Sequence, residues 1–414
     1  MKFAHTADCH IGGWKEEELK QLNLDSFKKM IGVCIEEHVA FLLISGDLFD
    51  TSLPQIDVVR EVAFQLSRLK DENIDVYVIP GSHDHSPSGK TMISVFEKAG
   101  LCHNVYKLKE GCLQWTEDKT GWKITGVIGL AGGLDRSIYK QMQNKEELEQ
   151  ESGNKIFMFH SLLEECKPKG WELVPGEPYT LLPKNFTYYA GGHPHFLMQK
   201  KVESYGTITY PGPLFPNNFK ELEELKHGSF YIIDDKLSIR QMPLNIKEVI
   251  AIKIDAGNKT PEEVEAEIIK QKEKYECKDK IITVRVEGCL KNGKPSDINF
   301  KKIVEKTEEA YCFLKNTYKL TTKEFEDIEI KTGNVEEIEE KIIAEYLGKE
   351  DVADLTADEK VLIKSLYTTL QREKHEGETK ADHENHLIKD LLESLKLNEV
   401  WNYYGSETAQ NKKY

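Results

Sequence analysis

Short apolar runs alternate with amphipathic stretches from the first residues onward. Residues 2–7, 41–45 (Phe-Leu-Leu-Ile-Ser) and 76–79 (Val-Tyr-Val-Ile, closed by Pro80) read as strands. Between the first two, Phe27, Met30, Ile31, Cys34 and Ile35 recur at helical spacing, which predicts a helix over 25–37; further helices are expected over 56–70 and 91–99. This βαβαβ order implies parallel strands joined by right-handed crossovers, an α/β fold. From 102 to 118 the signal is weak. Beyond it the pattern predicts a strand over 122–130 with a glycine-rich exit at Gly132-Gly133, and a solvated helix over 144–150. Strands at 155–159 and 188–190 and an edge hairpin over 204–210 follow. Strands at 229–234 and 236–242 close the domain, and their alternation suggests antiparallel pairing.

The pattern changes near Leu244. A strand over 246–254 leads to Thr260 as N-cap and Pro261 at the first position of a helix reaching about 275. A strand over 281–286, a helix over 298–314 and a strand over 326–330 would complete a small α+β unit. After Asn334 the chain reads as charged helices over 335–346, 358–374 and 386–397, with solvated linker segments at 376–378 and 382–384. The stripe Leu387, Leu391, Leu392 and Leu395 is either core packing or a docking face for a partner.

A chain of 414 residues is longer than a single core normally supports, so two or three domains are expected. Hydrophobic residues make up 39% and charged residues 31%, and no apolar run approaches the roughly 20 residues of a membrane span. With no signal-peptide core at the N-terminus, the expected location is cytoplasmic. Eight cysteines are scattered without CxxC pairs, against a disulfide framework or a zinc ribbon. A net charge of −15 opposes direct binding of nucleic acid, which is driven largely by Lys and Arg. A metal site could still grip phosphate locally, and a second protein could supply the basic surface.

Chemistry gathers at the strand ends. Asp8 and His10 follow the first strand, Asp47 and Asp50 (in Gly46-Asp47-Leu48-Phe49-Asp50) the second, and His83 and Asp84 the third. His160 ends the 155–159 strand, and His193 and His195 follow 188–190. Taken singly, Asp8 reads as a turn cap and His10 as a solvated loop residue. Three consecutive strand ends carrying Asp or His are harder to ascribe to turn chemistry, which spreads over Asn, Gly and Ser as well. Asp8 and His10, at i and i+2 on what reads as an extended segment, are expected to point to one side and reach one ion. Mixed carboxylate and imidazole donors suit Mn, Fe or Zn rather than Mg or Ca. Two such ions about 3.5 to 4 Å apart, sharing one carboxylate, would bind and activate a phosphodiester. Asp47 is the expected bridge.

These motifs, Asp8-x-His10, Gly46-Asp47-x-x-Asp50, Gly81-Ser82-His83-Asp84, His160 and Gly192-His193-x-His195, resemble in order and spacing the five motifs of the calcineurin-like metallophosphoesterases, over about residues 1–242. With the Ser86-Pro87-Ser88-Gly89 loop and the regions that follow, the chain is also similar to the SbcD-type nucleases of DNA double-strand-break repair. The resemblance implies a two-sheet α/β sandwich core over 1–243, a small α+β DNA-capping domain over 244–332 and a helical C-terminal tail over 333–414 that binds an ATPase partner. It implies two divalent ions, manganese, one held by Asp8, His10, Asp47 and His195 and the other by Asp47, His160 and His193. His83 would be the general acid for the leaving 3′ oxygen or an orienter of the phosphate, and Asp84 would hold His83 by a hydrogen bond. Asp50 is expected in a supporting role.

One position departs from the family: Ser82 stands where an asparagine usually lends its amide oxygen to the second ion. The resemblance further implies DNA as substrate, with exonuclease action on duplex ends and endonuclease action on single strands. Its implied partners are an SMC-like coiled-coil ATPase (SbcC or Rad-fifty type) on the C-terminal helices and a second copy of the chain, paired through the helices near 56–70 and 91–99. Two rival expectations are a small-substrate phosphodiesterase on the same fold and a scaffold that lost its second ion through Ser82.

Overall fold

The computed structural model describes residues 1–85, 91–130, 134–305, 309–322, 359–370, 387–392 and 394–395. The expected strand over 326–330, the helix over 335–346, both linker segments, the 86–89 loop and Gly132-Gly133 lie outside the described residues. The chain divides into two compact units, one comprising Met1–Ala251, Glu276–Thr283 and Glu309–Leu314, the other Ile252–Tyr275, Val284–Glu308 and Lys315–Tyr414.

The first unit begins with the parallel strands β1 (Lys2–Thr6), β2 (Phe41–Ser45), β3 (Asp75–Ile79) and β4 (His103–Asn104), lying side by side in that order. Helices α1 (Glu17–Glu36), α2 (Ile56–Asp71) and α3 (Met92–Lys98) make the crossovers. All five residues of β2 are buried, as a strand covered on both faces requires. Helix α1 starts about two turns before the expected Asp25, because Leu19 and Leu22 extend the buried stripe of Phe27, Met30, Ile31 and Cys34 backwards.

After a small hairpin, β5 (Leu108–Lys109) and β6 (Cys112–Leu113), the chain builds a second sheet from β7 (Thr116–Glu117), β8 (Lys123–Gly126), β9 (Lys155–His160), β10 (Tyr188–Gly192), β11 (Leu197–Val202) and β12 (Gly206–Pro211). Its order is β11-β12-β10-β9-β8-β7, with a parallel centre and antiparallel edges. Helices α4 (Asp135–Gln141) and α5 (Lys145–Gln150) fall between β8 and β9. Following α6 (Phe219–Leu225), strands β13 (Gly228–Asp234) and β14 (Ile239–Leu244) return to the first sheet, β13 pairing antiparallel with β1. Each sheet thus has six strands. Between them pack Phe3, Phe41, Leu43, Tyr77 and Ile79 from one side and Ile124, Ile156, Met158, Tyr188 and Ala190 from the other. Phe3 stacks on Phe41 at 5.0 Å and meets Tyr188 edge-on at 5.3 Å, which fixes the two sheets face to face.

A four-stranded sheet follows, of β15 (Val249–Asp255), β16 (Ile281–Leu290), β17 (Cys312–Asn316) and β18 (Leu320–Thr322), in the order β15-β16-β17 with β18 parallel to β16. Helix α7 (Pro261–Lys272) opens on Thr260, which forms a capping box with Glu263. The expected helix over 298–314 is corrected: α8 (Phe300–Glu305) ends early, and Cys312–Asn316 is a strand of the sheet. Sheet pairing overrides a weak helical pattern in this aromatic-rich stretch. Helix α9 (Glu359–Leu370) lies beside the helical residues 387–392, where Ser365 and Ser394 share a hydrogen bond at 3.0 Å and Leu387, Leu391, Leu392 and Leu395 are half-buried. No helix among the described residues is long and apolar enough to cross a membrane, and none of the eight cysteines is joined in a disulfide.

Candidate metal centre

The segments that leave β1 and β2 run on side by side. Asp8 N–H donates to the Gly46 carbonyl at 3.1 Å and His10 N–H to that of Asp47 at 2.9 Å. Neither segment is extended there: Asp8, His10 and Asp47 have φ of 51°, 43° and 51°, and His193, beyond β10, has 94°. Left-handed backbone is costly for residues with a side chain and is tolerated where surrounding contacts over-determine it. The expected i, i+2 geometry of an extended strand is therefore corrected, since kinks at both residues bring Asp8 and His10 together. Gly46 shows how close the packing is. At its φ of +88°, a Cβ would lie 2.2 Å from His160 Nδ1.

Three imidazoles are held by their Nδ1 atoms. His10 Nδ1–H donates to Asp50 Oδ1 at 3.1 Å, His195 Nδ1–H to Glu221 Oε1 at 2.8 Å, and His160 Nδ1–H to the Ser45 carbonyl at 2.8 Å. These acceptors set the tautomer of each neutral ring, in which Nε2 carries the lone pair. The lone pairs face inward. His10 Nε2 stands 3.2 Å from His195 Nε2 and 3.6 Å from Asp47 Oδ2, while His160 Nε2 stands 3.0 Å from Asp47 Oδ2. His195 Nε2 is 3.9 Å from Asp8 Oδ1. Electron pairs pointed at electron pairs repel unless positive charge lies between them.

The electrostatics say the same. Burial pushes the Asp47 carboxyl upward, but the His160 and His10 charges and the hydrogen bonds from His160 and His83 outweigh it and hold the group well below the usual carboxylate range. Burial works against charge on His160, yet Asp47 and Asp8 raise it to about 10. His195 is raised likewise, burial being outweighed by Glu221 and Asp8, and burial pushes Asp8 up against the pull of His195 and His160. Two buried carboxylates thus draw protons onto imidazoles. Divalent cations would satisfy the same demand with neutral imidazole ligands, and the nitrogen and oxygen donors present fit such ions.

Five of the candidate ligands form two clusters, Asp8 with His10 and His195, and Asp8 with Asp47 and His160, the ligand atoms of each lying within 4.8 Å of one another. His193 stands beside them, its N–H donating to Asp8 at 2.9 Å and its ring centroid 5.3 Å from that of His160. Ser82 Oγ donates to Asp47 Oδ2 at 3.4 Å. His83 donates its backbone N–H to Asp47 Oδ1 at 2.8 Å, and its exposed ring donates from Nδ1 to the Asp50 carbonyl at 2.7 Å. His10, Asp50 and His83 form a third cluster.

The expected hydrogen bond from Asp84 to His83 is corrected. Asp84 is only 3% exposed, and its carboxylate accepts from the N–H groups of Leu48, Phe49 and Gly81 at 3.0 to 3.1 Å. The turn after β3 sends His83 outward and its neighbour inward, so Asp84 ties the loop after β2 to the loop after β3. Burial, then the nearby Asp47 charge, pushes its carboxyl up to about 6. Asp50 takes over the holding of His83, and of His10 as well.

Glu221 is the residue sequence reasoning missed. It lies in the first turn of α6, where the Asn218 side chain accepts from its N–H, and it also accepts from Asn217 N–H at 2.8 Å. The only sequence signal was this Asn-x-x-Glu capping pattern. Because its oxygen fixes the His195 tautomer, Glu221→Gln should weaken the ion at the Asp8–His10–His195 cluster by about tenfold, the low end of what such supporting carboxylates contribute. A manganese titration checks this, and unchanged affinity would leave Glu221 as a helix cap alone.

Residues 1–197 match the family model of the calcineurin-like phosphoesterases. The DNA double-strand break repair protein Mre11 of Sulfolobus acidocaldarius is 26% identical over 360 residues, covering 84% of this chain and 90% of its own. Its namesake from Archaeoglobus fulgidus is 24% identical over 422 residues, covering 92% and 93%. Among solved structures, a dimetal phosphatase from Danio rerio aligns over 59% of this chain and 99% of its own, at 10% identity and a TM-score of 0.38.

Proposed function

We propose, from the match of residues 1–197 to the calcineurin-like phosphoesterases, that the chain is a manganese-dependent DNA nuclease of double-strand-break repair, acting on duplex ends as an exonuclease and on single strands as an endonuclease. The observation that carries the chemistry is the set of three imidazole Nε2 atoms and two carboxylates aimed at one another across 3.0 to 3.9 Å. The repair role is supported by the reach of the similarity, which runs over 84% to 92% of the chain and so extends beyond the phosphoesterase domain.

Asp8, His10, Asp47 and His195 would hold one ion, and Asp47, His160 and His193, with Ser82 nearby, the other. When bound, the two ions supply electrophilic charge toward the phosphate and make an attacking water more acidic. The chain's own groups do the rest. The Asp50 carbonyl fixes the Nδ1–H of His83, which leaves Nε2 on an exposed ring to carry the proton for the leaving 3′ oxygen. The His83 N–H holds Asp47 in place, and Asp84 locks the two loops that bear them.

In this reading residues 244–332 cap the DNA, residues 333–414 dock an SMC-like coiled-coil ATPase, and a second copy pairs through α2 and α3. Apolar side chains exposed on those helices support the pairing: Ile56 (83%) and Phe64 (58%) on α2, Val95 (54%) on α3. The net charge of −15 fits a division of labour in which the ATPase carries much of the DNA contact. The setting is cytoplasmic, at the nucleoid when on DNA.

Manganese-dependent cleavage of labelled duplex DNA, set against hydrolysis of bis-p-nitrophenyl phosphate, tests the proposal. Cleavage of both is expected. Activity on the small ester alone would sink the DNA reading, and none on either would point to a scaffold. Ser82 bears on that last outcome, since a hydroxyl 3.4 Å from Asp47 Oδ2 is a shorter and weaker donor than an amide oxygen. Ser82→Asn should therefore tighten the weaker of the two manganese sites. A titration with no change in affinity would place position 82 outside the ion's reach.

A further inference from the structure

Four polar side chains lie fully buried between the sheets and take no part in the chemistry above: His5 on β1, Ser45 at the end of β2, Tyr188 on β10 and Thr209 on β12. Around them the interface is aromatic and aliphatic. Polar groups in such a place are costly unless they are paired, and a fully paired set fixes one arrangement of the elements that carry it.

These four are paired. Ser45 Oγ–H donates to the Ala190 carbonyl at 2.9 Å and lies 3.0 Å from His5 Nε2, so it accepts from an Nε2–H. His5 Nδ1 is then the acceptor, and the Tyr188 hydroxyl fills it at 2.9 Å. Thr209 Oγ1 lies 2.8 Å behind that hydroxyl. The chain of bonds leaves β10, passes through β1 and β2, and returns to β10. Burial lowers the His5 pKa to about 3, which keeps the ring neutral and this arrangement intact near neutral pH.

The bridge ends at the residue whose carbonyl accepts from His160 Nδ1 at 2.8 Å, two positions before Asp47. Its grip is close: a Cβ on Gly192 of β10 would lie 2.0 Å from that Ser45 oxygen. We propose that His5, bridging Tyr188 to Ser45 across the two sheets, is a positioning residue that sets the acceptor of His160 and thereby selectively governs the ion shared by Asp47 and His160. This inference rests on the two-ion reading of the site. It separates the two ions, because His10 and His195 take their orientation from Asp50 and Glu221, which the bridge does not touch.

The test uses the full chain and manganese alone. Wild type, His5→Leu, His5→Gln and Ser45→Ala are titrated with Mn²⁺ by electron paramagnetic resonance, with the melting temperature of each metal-free variant recorded. In His5→Leu the weaker class of site should lose about 10- to 100-fold in affinity while the tighter class stays within about threefold, and kcat on bis-p-nitrophenyl phosphate should fall with KM little changed. His5→Gln, whose amide N–H can reach Ser45 Oγ, should recover most of the loss, which a mere packing role would not allow. Equal weakening of both classes, no weakening, or a His5→Gln as impaired as His5→Leu would each overturn the proposal. Should His5→Leu fail to fold, Ser45→Ala and Tyr188→Phe, each lacking one hydroxyl, carry the same comparison. A wild type that binds fewer than two ions would instead overturn the two-ion reading, and the inference with it.

Discussion

Asp47→Ala should strip bound manganese from both positions and lower phosphodiester hydrolysis by about a thousandfold or more, the several kcal/mol that metal charge contributes to such a transition state. One oxygen of Asp47 lies 3.0 Å from His160 Nε2 and 3.6 Å from His10 Nε2, so it is the ligand that both ions would share. Its other oxygen accepts the His83 N–H at 2.8 Å. Without it, three inward Nε2 atoms face a single carboxylate, that of Asp8, and the attraction for the second cation is lost. Backbone strain complicates the alanine variant, because φ at this residue is 51°, a conformation that asparagine tolerates better. Asp47→Asn is therefore the companion: it keeps the backbone and an acceptor for His83 but removes the charge, and it too should lose the metal. Metal content by mass spectrometry reads the result, and two full-occupancy ions in either variant would refute the bridging role.

Every candidate ligand could be found without coordinates because each follows a strand, and strands announce themselves by buried runs that stop at polar turns. Asp8, Asp47, His83 and His160 are legible for that reason. What the sequence hides is direction. His83 and Asp84 are neighbours, and nothing in their order says that one faces solvent while the other accepts three N–H groups beneath the loops. The left-handed turns at Asp8, His10, Asp47 and His193 are equally silent, since such conformations usually announce themselves through glycine or asparagine. Glu221 sits 26 residues beyond His195 on a short charged helix, among glutamates that differ from it only in where the fold sets them down. The return of β13 to β1, more than two hundred residues apart in the chain, is a long-range pairing that periodicity cannot specify. His5 illustrates the same limit, because a histidine in an apolar strand reads as a core residue until its partners on three other strands are known.

His83→Gln should lower kcat on DNA by about 10² to 10⁴, the usual contribution of a positioned general acid, with both ions retained. Retention is expected because the His83 ring belongs to neither the Asp8–His10–His195 nor the Asp8–Asp47–His160 cluster, and the backbone N–H that holds Asp47 survives the change. The size of the loss should depend on the leaving group. A 3′ alkoxide is a poor leaving group that needs a proton as the bond breaks, whereas p-nitrophenolate leaves readily without one. If His83 Nε2 delivers that proton, His83→Gln should be severe on DNA and mild on bis-p-nitrophenyl phosphate. If the ring instead orients the phosphate, both substrates should suffer alike, because both present the same phosphodiester to the same side chains. The Asp50 carbonyl favours the first outcome. By taking the Nδ1–H at 2.7 Å it fixes which ring nitrogen faces outward, a constraint that matters for a proton donor and far less for a side chain that merely contributes charge.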